Sequence, residues 1–86
     1  MSRFSRNKSN LRQIEGRHSV IETLLSQKKV SHIDISNSSD EGNEIQKIIT
    51  LAKQSNVNLN FLDKKNIEKK SATKKSQGVI LYLDDN

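Results

Sequence analysis

Glu15-Gly16-Arg17-His18-Ser19-Val20-Ile21-Glu22-Thr23-Leu24-Leu25 is the stretch on which the fold turns. Val20, Ile21, Leu24 and Leu25 recur at helical spacing, with Glu22, Thr23 and Ser26 opposite, so an amphipathic helix is expected over 18–27. Residues 12–16 before it read as a short strand closing at Gly16. A strand passing through a glycine straight into a helix is how an alternating α/β chain begins. Near the other end, Ser76-Gln77-Gly78-Val79-Ile80-Leu81 makes the complementary signal, a glycine turn feeding an apolar strand.

Between these stretches the alternation continues. Ile33 and Ile35 face one way and His32 and Asp34 the other, the pattern of a half-buried strand over 30–35. The polar loop 36–42 offers Ser39 or Asp40 as a helix N-cap. Ile45, Ile48, Ile49 and Ala52 then fall at i, i+3, i+4 and i+7, while Gln46, Lys47 and Lys53 face water. Asp40, Glu41 and Glu44 near the start of that helix and Lys53 near its end suit its dipole. Val57, Leu59 and Phe61 alternate with Asn58 and Asn60 in a third strand, and Asp63 is placed to cap a short helix to about Lys70. Val79 to Leu83 is apolar throughout, as in a strand covered on both faces. The expected architecture is a three-layer α/β/α sandwich with a four-stranded mixed sheet.

Length and composition narrow the function classes. The 86 residues make one small domain, expected over 12–84, with a disordered basic tail over 1–11 and the start of a linker at 85–86. With Phe4, Phe61 and Tyr82 as the only aromatics of the Phe, Tyr and Trp set, the core is built from Ile, Leu and Val. The same scarcity argues against an aromatic platform that would stack single-stranded bases. Absence of cysteine excludes disulfides, thiolate metal sites and cysteine nucleophiles, and fits a reducing compartment. No apolar run approaches the ~20 residues of a membrane span, so no membrane partner is expected. The arginine- and serine-bearing tail leaves a mitochondrial presequence as an alternative.

The net charge of +5 favours a polyanion partner. Lys64, Lys65, Lys69, Lys70, Lys74 and Lys75 place six positive charges in twelve residues, a phosphate-binding surface or, equally, a solvated lysine-rich face. Arg17, at the junction of strand and helix, is placed to join helix N-terminal amides around a phosphate, or is simply exposed after a turn glycine. The three glycines are dispersed, which excludes a phosphate-cradling loop or a dinucleotide fingerprint. His18 and Glu22 stand at i, i+4, but two ligands do not make a metal site, and Ser19 beside His18 is weak evidence for a nucleophile. Neither a cofactor nor a catalytic group is expected in this chain.

The run from Ile14 to Leu25 resembles the opening of the substrate-binding domain of SpoU (TrmH-type) RNA 2′-O-ribose methyltransferases, which carries a Gly-x-His-x-Val-x-Glu-x-Leu-like pattern. The closing Gln77-Gly78-Val79 resembles the family's His-Gln-Gly signal, with Ser76 in place of the histidine. The resemblance covers about residues 12–84. It implies the fold shared with kink-turn-binding ribosomal proteins, and a domain that presents ribosomal RNA, or alternatively transfer RNA, to a knotted catalytic domain absent from this chain. That domain would bind S-adenosylmethionine and dimerise, in a cytoplasmic enzyme or alternatively a mitochondrial or plastid one. Carried onto this sequence, the matched positions are Gly16, Arg17, His18, Gln77 and Gly78, with Gly16 and Gly78 serving backbone geometry. The competing readings are a protein-docking or dimerisation module and a free-standing binder of structured RNA.

Overall fold

The computed structural model describes residues 11–37, 42–73 and 77–84. Seven elements alternate: β1 (Leu11–Glu15), α1 (Arg17–Leu25), β2 (Val30–Ser36), α2 (Asn43–Gln54), β3 (Asn58–Leu62), α3 (Lys64–Lys70) and β4 (Val79–Asp84). The strands form one sheet in the order β1-β4-β2-β3. β2 and β3 are parallel, joined through α2, while β4 lies antiparallel to both of its neighbours. Thus β1, β2 and β3 run one way, and the last strand is inserted between the first two.

Helices α1 and α2 share one face of this sheet. Their side chains Val20, Ile21, Leu24, Ile45, Ile48 and Ala52 form one cluster with Ile33, Ile35, Val79, Leu81 and Leu83 of the two central strands. Burying each larger aliphatic chain stabilises the fold by about 1.5–3 kcal/mol before ordering costs. The chain leaving edge strand β3 must pass β2 to reach β4, and α3 does so over the other face, the first being filled by α1 and α2. Ile67 of α3 and Ile80 of β4 are buried there. Alternation along β4 sends Val79, Leu81 and Leu83 to the helix pair and Ile80 and Tyr82 to the α3 side. An apolar run therefore marks a central strand, and the three-layer α/β/α sandwich with a mixed sheet is what the chain forms.

Several boundaries and exposures differ from the sequence-based expectations. β1 begins at Leu11, inside the expected tail, because Leu11 pairs with Asp84. α1 begins at Arg17, with Gly16 as its N-cap. Leu25, expected on the apolar face, is 57% exposed as the last helical residue, Leu24 taking the inward position. Phe61 is 54% exposed near the end of an edge strand, which has a neighbour on one side only. The N-cap of α2 is Gly42, and Ser39 and Asp40 lie outside the described residues. A register shift between Val30 and His32 adds one residue to β2, which lets Val30 and Ile33 both pack on the core despite their opposite parity.

Candidate nucleic-acid interface

Strand direction gathers the loops that carry the sequence signals. β1, β2 and β3 all end at one edge of the sheet, so all three helices begin there, and so does β4. Open α/β sheets commonly take ligands at this edge, outside the carboxyl ends of the strands. The backbone ties the segments together. The Ser36 N–H donates to the Gly78 carbonyl at 2.8 Å and the Asn37 N–H to the Leu62 carbonyl at 2.8 Å. The Asn37 side-chain amide also donates to Asp63 Oδ1 at 3.4 Å. Asp63 is the N-cap residue of α3, but its side chain makes no capping bond.

The two stretches that opened the reading meet at this edge. Gly16 holds φ 96° and ψ 144°, a region nearly confined to glycine, and it has no side chain with which to cap α1. The cap comes from sixty residues away: the Arg17 N–H donates to Gln77 Oε1 at 2.9 Å. Arg17 Nε donates in turn to the Gln77 carbonyl at 3.2 Å, and Nη1 stands 3.8 Å from Glu44 Oε1 at the start of α2. Gln77 itself is left-handed (φ 56°), as is Gly78 (φ 85°). Arg17 thus spends part of its guanidinium on joining α1, α2 and the turn before β4. His18, the next residue, is exposed.

Of the lysines, Lys64 and Lys65 open α3 at the same edge and are exposed, and Lys69 is exposed about a turn further on. Lys70 turns toward the sheet, its ammonium 3.6 Å from Asp34 Oδ2. Lys74 and Lys75 lie outside the described residues. The structure therefore gathers Gly16, Arg17, His18, Gln77 and Gly78 in one place, sets Lys64 and Lys65 further along the same strand-end edge after β3, and carries Lys69 and Lys70 away along α3.

Beneath α3 lies chemistry that the periodicity does not reveal. Register aligns Glu15, Ile80, Asp34 and Asn60 in one row across the four strands, and Gln13, Tyr82, His32 and Asn58 in the next. Asp34, expected to face water, is only 1% exposed because α3 covers it. The Asn60 amide donates to its Oδ1 at 3.2 Å, while Oδ2 accepts no hydrogen bond from a described residue and faces Lys70. Glu15 grips the segment after α3: Oε1 accepts from the Ser71 hydroxyl at 2.5 Å and the Thr73 hydroxyl at 2.8 Å, and Oε2 accepts from the Ala72 and Thr73 N–H groups. Partial burial pushes the Glu15 carboxyl up, but these donors outweigh it and hold the pKa below the ordinary value.

The His32 and Tyr82 rings stack with centroids 4.3 Å apart and planes at 21°. The scarcity of Phe, Tyr and Trp hides this pair, because register sets an imidazole against the single tyrosine. Burial and the Asp34 charge together raise the Tyr82 pKa.

Fold and edge define a class, a small α/β binding domain with cationic side chains where its strands end. More particularly, the chain belongs to the family described as RNA 2′-O ribose methyltransferase substrate binding, whose model matches residues 13–86. It is an RNA substrate-binding domain of that methyltransferase type. No curated protein matches the chain.

Proposed function

We propose that this domain holds a structured RNA, ribosomal RNA before transfer RNA, for an S-adenosylmethionine-dependent catalytic domain that methylates a ribose 2′-hydroxyl. The working enzyme in this reading is a cytoplasmic homodimer. RNA lies along the edge where the strands end, positioned by phosphate and shape contacts rather than base readout. The observation that carries the reading is the joining of Arg17 to Gln77 at the strand-end edge from which Lys64 and Lys65 also open α3, so both family-like stretches and two exposed lysines lie along one edge of the sheet. The docking alternative draws less support: Leu25 ends a helix at one end of the sheet and Phe61 lies near the other, so they make no common apolar patch.

The test is a titration of the chain with a ribosomal RNA stem-loop at two salt concentrations, followed by amide chemical shifts. Salt-sensitive shifts are expected at Gly16, Arg17, His18, Lys64, Lys65 and Gln77. Reversing Lys64, Lys65 and Lys69 to Glu should weaken binding and reduce the slope of log K against log salt by roughly 2–3. Unchanged affinity in that variant removes the lysines from the interface, and no shifts at low salt overturn the reading. Tight binding of an isolated kink-turn RNA would turn it toward a free-standing binder.

A further inference from the structure

The open part of the second sheet face carries a site of a different kind from the phosphate-binding edge. The row Gln13-Tyr82-His32-Asn58 crosses all four strands, one residue from each, two aromatics flanked by two amides. Tyr82 and His32 are only half-buried, and Asn58 is exposed. The row above is closed by α3 over Asp34, whereas this row lies one step further from the strand ends.

The two ends of the row are not equivalent. Gln13 closes the tyrosine end: its amide donates to the Lys70 carbonyl at 2.8 Å and to the Tyr82 hydroxyl at 3.4 Å. At the other end the Ser31 hydroxyl lies 3.0 Å from His32 Nδ1 and fixes the imidazole, and the neighbour across the strand gap is the short side chain of Asn58. Neighbouring strands lie about 4.8 Å apart, so one flat ring stands above each of the two central strands. A third flat group laid on the outer face of His32 continues the stack above Asn58.

We propose that this row is a second RNA contact, a platform for one unpaired nucleobase. The base stacks on His32, backed by Tyr82, and Asn58 meets its edge with an amide donor and acceptor. The inference rests on the reading of the chain as an RNA-presenting domain and adds to it a recognised substrate feature, a base outside a helix. A purely structural cross-strand pair needs no open face and no amide neighbour on the exposed side. Bases splayed from loops and bulges are the elements that aromatic and amide side chains read in RNA.

The experiment compares a hexa-adenylate with a blunt RNA duplex, each titrated into the whole chain while ring-proton chemical shifts of Tyr82 and His32 are followed. Tyr82 is the one tyrosine, and no tryptophan is present, so its signals are unambiguous. Hexa-adenylate should move both rings upfield saturably, while the duplex should leave them unmoved and shift His18 and Gln77. His32→Ala should weaken hexa-adenylate roughly five- to a hundredfold and leave duplex affinity unchanged, with His32→Phe restoring it. Duplex binding together with unmoved rings in hexa-adenylate overturns this inference and leaves the proposed function standing. Failure of both RNAs to shift any residue overturns the proposed function, and this inference with it.

Discussion

Glu15 shows how one side chain fixes a loop. Its two oxygens receive four hydrogen bonds from Ser71, Ala72 and Thr73, and those donors keep the carboxyl ionised below its usual range. With the folded pKa below the unfolded one, the unfolded chain binds more protons on acidification. The stabilisation is full above about pH 4.5 and is lost as pH falls through the folded value. Glu15→Gln should therefore flatten the acid limb of a pH-dependent thermal melt and cost about 1–3 kcal/mol at neutral pH. An unaltered acid limb would show that the grip contributes nothing. Gly16 presents a backbone demand instead: Gly16→Ala at φ 96° should cost about 1–3 kcal/mol and fray α1, measured by urea denaturation and amide exchange at Val20. The glycine at this junction was legible in the sequence, since a strand running directly into a helix needs a break. Its capping partner was not, because nothing local in Gln77 points to a residue sixty positions away.

At the scale of elements, α3 is the part whose role changed most on folding. Its lysines read as one patch, yet Lys70 lies over Asp34 while Lys64, Lys65 and Lys69 remain in water. A seven-residue helix presents Ile67 to the sheet and carries Lys70, three positions on, toward the same side. Period counting predicts that geometry but not which strand side chain lies below. The Asp34 carboxylate is out of water, with one amide bond and the Lys70 ammonium to offset its desolvation. Lys70→Ala should lower stability by about 1–3 kcal/mol, discounted because half of the lysine side chain is exposed. Asp34→Asn should restore most of that loss in the double variant, because the amide removes the stranded charge. Denaturant midpoints of the two single variants and the double variant decide it, and additive losses would show that the two residues do not couple. Lys65→Ala should leave the stability within about 0.5 kcal/mol of the parent.

The whole molecule is organised by its last strand. Local patterning disclosed the element order and the buried character of Val79 to Leu83, because alternation and apolar runs are properties of neighbouring residues. It did not disclose that β4 enters between β1 and β2, a choice made by pairings such as Arg12 with Leu83 and Ile33 with Leu81. The order matters for stability and for the binding edge together. Without β4 the sheet separates into β1 alone and the β2-β3 pair, and Gln77 is no longer held against Arg17. Leu81, fully buried at the centre of the cluster, should therefore report on both. Leu81→Ala is expected to cost about 2–5 kcal/mol, a large share of the stability of a domain this small. The unfolding transition should remain single and coincide when followed by far-ultraviolet circular dichroism and by Tyr82 fluorescence, because both face layers lean on this strand. RNA affinity should fall in proportion to the unfolded fraction and recover at temperatures where the variant is folded. Two separated transitions would mean that α1, α2, β2 and β3 fold without β4, and the strand would then be a late addition to a self-sufficient half rather than the element that completes the sheet.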